Sequence, residues 1–233
     1  MKHLIVSRCE FSDAELLEQY LRVSHDYFIP ALKSQTNNNF EVALIVNNKH
    51  TDALRKKIDY PFIALDGYDG LVRLVKSEQI DIMTRHDIDD WMHDNYIDTI
   101  QHTYQKTKDQ YGSDITVLIQ AQPTKLLLKT GNEVSMKPYS DNNTSMFLSL
   151  CQHTSRVHIY QRNHRFMWQF AQVVVTLKEG LVKWVIHPQC QDTCRLPLLR
   201  FLRIFEGERS TSCLDIPKNA APLSWPNCCH RRA

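Results

Sequence analysis

No stretch of this 233-residue chain approaches 18 consecutive apolar residues, so no membrane-spanning helix is expected. The start, Met1 to Arg8, has too short an apolar run for a signal peptide, which points to a cytosolic chain. Charge of one sign is lacking as well. A net charge of +2 leaves no electrostatic footprint for general nucleic-acid binding, and no specific nucleic-acid partner is expected. The seven cysteines form no disulfide framework: the number is odd, Cys9 and Cys151 lie far apart, and the other five fall between Cys190 and Cys229. Only Cys190 and Cys194 approach a zinc-ligand spacing, and no matched second pair follows. An EF-hand is also excluded, because the loop from Asp87 has Trp91 where Asp or Asn belongs and Met92 where the turn glycine belongs.

What is present is enough apolar material, 42% of the residues, to bury a full core, and one pronounced acidic motif. Arg85-His86-Asp87-Ile88-Asp89-Asp90 places three carboxylates within four positions, after an apolar strand-like stretch and before a helix-like run, Met92 to Ile100. On an extended backbone Asp87 and Asp89 share one face, while Asp90 points the opposite way unless the chain turns. Such carboxylates repel unless a cation separates them. Hard oxygen ligands favour Mg2+ or Mn2+, typically held by one or two carboxylates together with substrate phosphates. The alternative is a solvated turn opening the next helix, where the macrodipole favours acidic residues.

Strands alternate with helices along the first part of the chain. His3 to Ser7 reads as a buried strand, and Asp13 to Leu32 as a helix disturbed by Pro30. Phe40 to Val46 is a β-branched strand, Asn47-Asn48 its turn, and Thr51 the cap of a short helix through Lys57. Pro61 to Leu65 is a short strand, and Tyr68 to Ile82 a helix with an apolar approach to the acidic motif. This order predicts an α/β fold with a mainly parallel central sheet flanked by helices. Ligands of such sheets bind beyond the carboxyl ends of the strands, near the point where strand order reverses, so Ser7, Arg8, Asn47 and the acidic motif converge there. Farther on, Thr116 to Gln122 and Lys125 to Lys129 are strands joined tightly at Pro123-Thr124. Ser145 to Cys151 reads as helical and Arg156 to Gln161 as a strand leading to His164, which suggests a smaller mixed sheet.

Four ordered islands resemble the rhamnosyltransferase-like family of GT-A glycosyltransferases: Ser7-Arg8, the phrase Ile29 to Val42 (Ile-Pro-Ala-Leu-Lys-Ser-Gln-Thr-Asn-Asn-Asn-Phe-Glu-Val), Thr84 to Asp90, and Tyr160 to His164. The resemblance implies a GT-A-like domain over residues 1–188, with a nucleotide-sugar-binding half at 1–110 and an acceptor-side half at 111–188. It also implies a nucleotide-sugar donor, Mn2+ or Mg2+ on the Asp-x-Asp motif, and transfer of the sugar to a hydroxyl of a saccharide or glycan acceptor. By motif position Arg85 and Asp87 would meet the donor, while Asp87, Asp89, Asp90 and His164 would face the metal. His86 and Ile88 depart from the pattern, where similar sequences often carry an apolar residue and Asn.

Breaking a sugar–phosphate bond loads charge onto the departing diphosphate, which a cation stabilises, and the acceptor hydroxyl needs a base. Asp141, in a turn-rich stretch, is the first candidate for that base and Glu133 the second; the alternative reading of Asp141 is a cap of the following helix. Beyond Gln189 the composition shifts to a basic apolar segment, Arg195 to Phe205, suited to an anionic membrane surface or to packing on the core, followed by a Pro- and Cys-rich tail to residue 233. Two other readings are a non-catalytic nucleotide- or glycan-binding module of the same fold and, from the aspartate-rich stretch, an all-helical Mg2+-dependent prenyl diphosphate enzyme.

Overall fold

The structure, a computed structural model, describes residues 1–11, 13–123, 125–128, 133–135, 147–152, 157–161, 164–177 and 180–186. The chain divides into two compact units, Met1–Gln189 and Cys190–Ala233, and all described residues belong to the first. The expected tail segment at 195–205 therefore lies outside the described residues.

Strands β1 (His3–Cys9), β2 (Glu41–Val46), β3 (Ile63–Asp66) and β4 (Ile82–Arg85) are all mutually parallel. With β6 (Val117–Ala121), β9 (Phe147–Cys151) and β10 (Val173–Leu177) they form a seven-stranded sheet in the order β10-β6-β9-β4-β1-β2-β3. Only β9 runs against its neighbours, pairing antiparallel with β4 and β6, so the sheet is mainly parallel. The chain winds outward from β1 through β2 to β3, then returns to place β4 on the other side of β1. The switch point thus falls between β1 and β4. A second sheet joins β5 (Trp91–Met92), β7 (Lys125–Leu128), β8 (Glu133–Ser135) and β11 (Val182–Ile186) in the order β5-β11-β7-β8, with parallel and antiparallel pairs. The α/β architecture and smaller mixed sheet match the expectation from sequence. The seven-stranded sheet removes the all-helical prenyl diphosphate reading.

Local structure departs from the sequence pattern in several places. The helix expected over Asp13 to Leu32 is two, α1 (Ala14–Asp26) and α2 (Phe28–Lys33), separated at Tyr27. Pro30 sits in the first turn of α2, where no intrahelical N–H is required, so it starts the second helix rather than breaking the first. Thr51 opens α3 (Thr51–Lys57) as a helical residue behind the 3-10 turn Asn48–His50, and the side-chain cap belongs to Asn47, which accepts from the Lys49 N–H. Trp91 and Met92 form β5, so the helix after the acidic motif, α5 (Tyr96–Tyr111), starts later than expected. Phe147–Cys151 is a strand because it lies mid-sheet with every residue buried, and a short run apolar on both faces has no period to distinguish strand from helix. Residues 157–161 make a turn instead of a strand, with the Gln161 N–H donating to the His158 carbonyl. The Pro123 connection carries the chain from one sheet to the other, since β6 and β7 are not paired.

Both faces of the large sheet are buried. One packs Ile5, Val42, Leu44 and Ile119 against Leu17, Phe28, Leu54 and Ile100 from the helices. The other packs Leu4, Val6, Ala43 and Met83 against Leu71 and Val75 of α4 (Gly67–Ser77) and against Ile159 and Met167. Gly70 is where α4 touches the sheet: a Cβ there would lie 3.1 Å from the backbone carbonyl carbon of Leu65. Gly70→Val is expected to push α4 off β3 and cost about 1–3 kcal/mol in urea unfolding; an unchanged midpoint would contradict this packing.

A buried polar chain links α5 to β1, β4 and β9. Gln101 donates its amide to the Asn39 carbonyl at 2.9 Å, which fixes the orientation of that amide. The same nitrogen lies 3.3 Å from His3 Nδ1, so Nδ1 accepts and Nε2 carries the proton toward Thr84 Oγ1 at 2.7 Å. Thr84 in turn meets Ser149 Oγ at 2.7 Å. His3 is 1% exposed, and burial lowers its pKa to about 3.

Candidate functional site

The site is built at the carboxyl ends of β1 and β4, on either side of the switch point. Leu4, Ile5 and Val6 are buried, whereas the next outward-facing side chain, Arg8, reaches solvent. Ser7 Oγ donates to the His86 carbonyl at 2.5 Å, joining the end of β1 to the start of the acidic turn. Ser7 is fully buried, so its role here is to hold that turn. On the other side, the Tyr160 hydroxyl donates to the Val6 carbonyl at 3.2 Å, fixing residues 157–161 over the end of β1.

Around that anchor lie two arginines and one carboxylate. Arg85 Nη2 is 3.6 Å from Asp87 Oδ2, and its guanidinium carbon stands 5.0 Å from the centre of the Tyr160 ring. Tyr68, in the first turn of α4, packs on Tyr160 with ring centroids 5.7 Å apart. Arg8 faces the same group, with Asp87, Tyr68 and Tyr160 beside it. Burial alone would lower the pKa of both arginines; Asp87 and the two tyrosines outweigh it and the net shift is upward. Burial raises the Tyr160 phenol, so it remains a neutral donor. Arg85 Nε is buried and has no hydrogen-bond partner among the described residues. Two permanent cations beside one carboxylate form a centre suited to an anion with several oxygens.

The acidic turn is held by its apolar neighbours. His86 is fully buried, its ring 5.6 Å from Phe28 and 5.4 Å from Phe147, with Tyr96 edge-on at 6.1 Å. Its Nδ1 lies 3.0 Å from the Asp87 carbonyl, which can only accept, so that nitrogen carries the proton. Burial lowers the pKa of His86 to about 4, and the ring serves as a neutral aromatic plug. Ile88 is buried too, which leaves Asp87 outermost with its side chain 27% exposed. The Asp90 N–H donates to the Asp87 carbonyl at 3.1 Å, so the chain turns here. That turn faces Asp90 toward the second sheet, where it is 2% exposed and accepts from the Val185 N–H at 3.0 Å. Asp90→Ala is expected to remove this buried charged acceptor from the Val185 N–H and destabilise the protein by about 1–3 kcal/mol; guanidinium unfolding of the variant measures it.

The metal-ligating set expected from sequence divides accordingly. Among the described residues, no three His, Cys, Asp or Glu side chains gather into a metal-binding group. Of the expected ligands, Asp87 is partly exposed and Asp89 is buried at 8% exposure. His164 opens the 3-10 helix His164–Phe170, and its side chain lies outside the described set. Glu133 begins β8 with its side chain likewise undescribed, and Asp141 lies outside the described residues. Asn47 follows β2 and its side-chain oxygen is engaged in the next turn at 3.2 Å from the Lys49 N. Trp91 is half-buried with the Lys183 ammonium 4.1 Å from its ring centre. Tyr68 was not legible as a site residue. It is one aromatic in the first turn of an amphipathic helix, and only the fold brings it to Arg8.

No protein-family model matches this chain, and no curated protein matches it. Among solved structures it is similar to TarS 1-349 of S. aureus, at 13% identity and a TM-score of 0.45, over 87% of this chain and 66% of that one. TarS 1-349 in complex with UDP-GlcNAc matches at 12% identity and a TM-score of 0.41, over 80% and 59% of the two chains. CMP:2-keto-3-deoxy-manno-octonic acid synthetase complexed with CTP matches at 15% identity and a TM-score of 0.44, over 88% and 100%. The chain spans less than two thirds of the length of these TarS chains.

Proposed function

We propose that this chain is a glycosyltransferase that takes a sugar from a nucleotide-sugar donor and delivers it to a hydroxyl of a saccharide or glycan acceptor. The observation that carries this reading is the placement of Arg8, Arg85 and Asp87 together at the switch point between β1 and β4. Nucleotide ligands of open α/β sheets bind at that position. The two guanidiniums would hold the diphosphate. Asp87, the outermost carboxylate, is suited to accept from a ribose or sugar hydroxyl.

When bound on Asp87 and Asp89, Mn2+ or Mg2+ would supply further charge stabilisation to the leaving diphosphate. His164 is the proposed additional metal ligand. Asp141 and then Glu133 are the proposed bases for the acceptor hydroxyl, and Asn47 a donor contact. The test is release of nucleoside diphosphate from UDP-, GDP-, CDP- and dTDP-sugars, with glycan fragments as acceptors, in Mn2+, Mg2+ or EDTA. Turnover of one donor, lost in Asp87→Asn, supports the transferase. Tight donor binding without turnover in any metal would favour the non-catalytic module.

A further inference from the structure

We infer that the outer edge of β3 is a docking site for an extended acidic peptide that adds to the sheet as an eighth strand. β3 is the last strand in the sheet order, and its outer edge makes no backbone hydrogen bond among the described residues. A groove of about 440 Å3 runs along it, lined by Ala64, Leu65 and Asp66 of the strand, Thr51 and Arg55 of α3, and Arg73 of α4. Neither arginine has an ion pair or side-chain hydrogen bond among the described residues. Thr51 Oγ1 is also buried there without a partner among them. An unpaired strand edge complements another main chain, and the two arginines set against Asp66 in this groove select an acidic one.

The fold adds a rule about spacing. Leu54, beside Arg55, packs on one face of the sheet, whereas Leu71 and Val75, around Arg73, pack on the other. The two guanidiniums therefore flank the edge from opposite faces. Successive side chains of an added strand also alternate between faces. Adjacent acidic residues in the peptide would reach both arginines, while residues two apart would reach only one.

The test uses the full chain and fluorescein-labelled peptides. Val-Thr-Glu-Glu-Thr-Val is expected to bind saturably, about fivefold more tightly than Val-Glu-Thr-Glu-Thr-Val of equal charge. Arg55→Glu and Arg73→Glu, both at exposed positions, are each expected to weaken it about tenfold. The double reversal should prefer the Lys-Lys analogue. Amide exchange should slow at Ile63–Asp66 on binding. Absence of saturable binding, equal affinity for the two spacings, indifference to both reversals, or protection elsewhere would each overturn the inference. So would a dimer in sedimentation that the reversals dissolve, because a second copy would then occupy the edge. Nucleotide binding at Arg8 and Arg85 is read separately and does not enter this result.

Discussion

Replacing Arg85 with Met is expected to weaken binding of a nucleoside diphosphate about a hundredfold, within the cost of truncating one partner of a buried charge pair. Arg85 is the better test of the two arginines. Its guanidinium is held from both sides, by Asp87 at 3.6 Å and by the Tyr160 ring at 5.0 Å, so little ordering remains to be done when an anion arrives. Arg85→Lys separates charge from geometry. Lysine keeps the charge but lacks the planar fork, so an intermediate loss is expected if two phosphate oxygens are recognised together. Equilibrium titration of the nucleoside diphosphate measures both, with circular dichroism as the control for folding. Wild-type affinity in folded Arg85→Met would remove this residue from the site.

The largest effect on stability is expected from acid. His3 titrates near its ordinary value of 6.5 in the unfolded chain but at about 3 in the fold, because burial penalises the imidazolium. Protonating it would also direct a hydrogen from Nδ1 at the Gln101 amide, itself a donor. The unfolded chain therefore binds the proton first as pH falls. Stability contributed by neutral His3 is full above pH 6.5 and declines between 6.5 and about 3, at up to about 1.4 kcal/mol per pH unit. Urea unfolding at a series of pH values should show this slope, and His3→Gln should flatten it while losing some stability at neutral pH. An equal slope in both proteins would place the proton uptake elsewhere.

The parts of the fold legible in the sequence are those where a periodic pattern met punctuation. Phe40 to Val46, closed by Asn47-Asn48, carried its strand and its end, and alternation through Ile82 implied a parallel sheet. Two short segments misled for opposite reasons. Phe147–Cys151 has no period because both faces are covered. Residues 157–161 do alternate, yet their backbone turns under Tyr160, whose hydroxyl serves the end of β1. The positions of Ser7, Arg8, Arg85 and Asp87 at the carboxyl ends of β1 and β4 were readable from the strand pattern. Tyr68 and the turn of Asp90 toward Val185 were not, because each depends on contacts far apart in the chain. His86 was visible only as a departure from the pattern of the family the sequence resembles; Phe28, Phe147 and Tyr96 around it explain how a histidine fills an apolar position.

The most direct measurement is a thermal-shift panel of inorganic diphosphate, nucleoside diphosphates and nucleotide sugars, with and without Mn2+, on wild type, Arg85→Met and Asp89→Ala. A ligand present at a hundred times its dissociation constant stabilises by about 2.7 kcal/mol, which raises the melting temperature of a chain this size by roughly 5–10 °C. The nucleotide-sugar account predicts such a shift for one nucleotide family in wild type, its loss in Arg85→Met, and a smaller Mn2+ increment in Asp89→Ala. Folded wild-type protein that responds to none of these ligands, with or without metal, would contradict it.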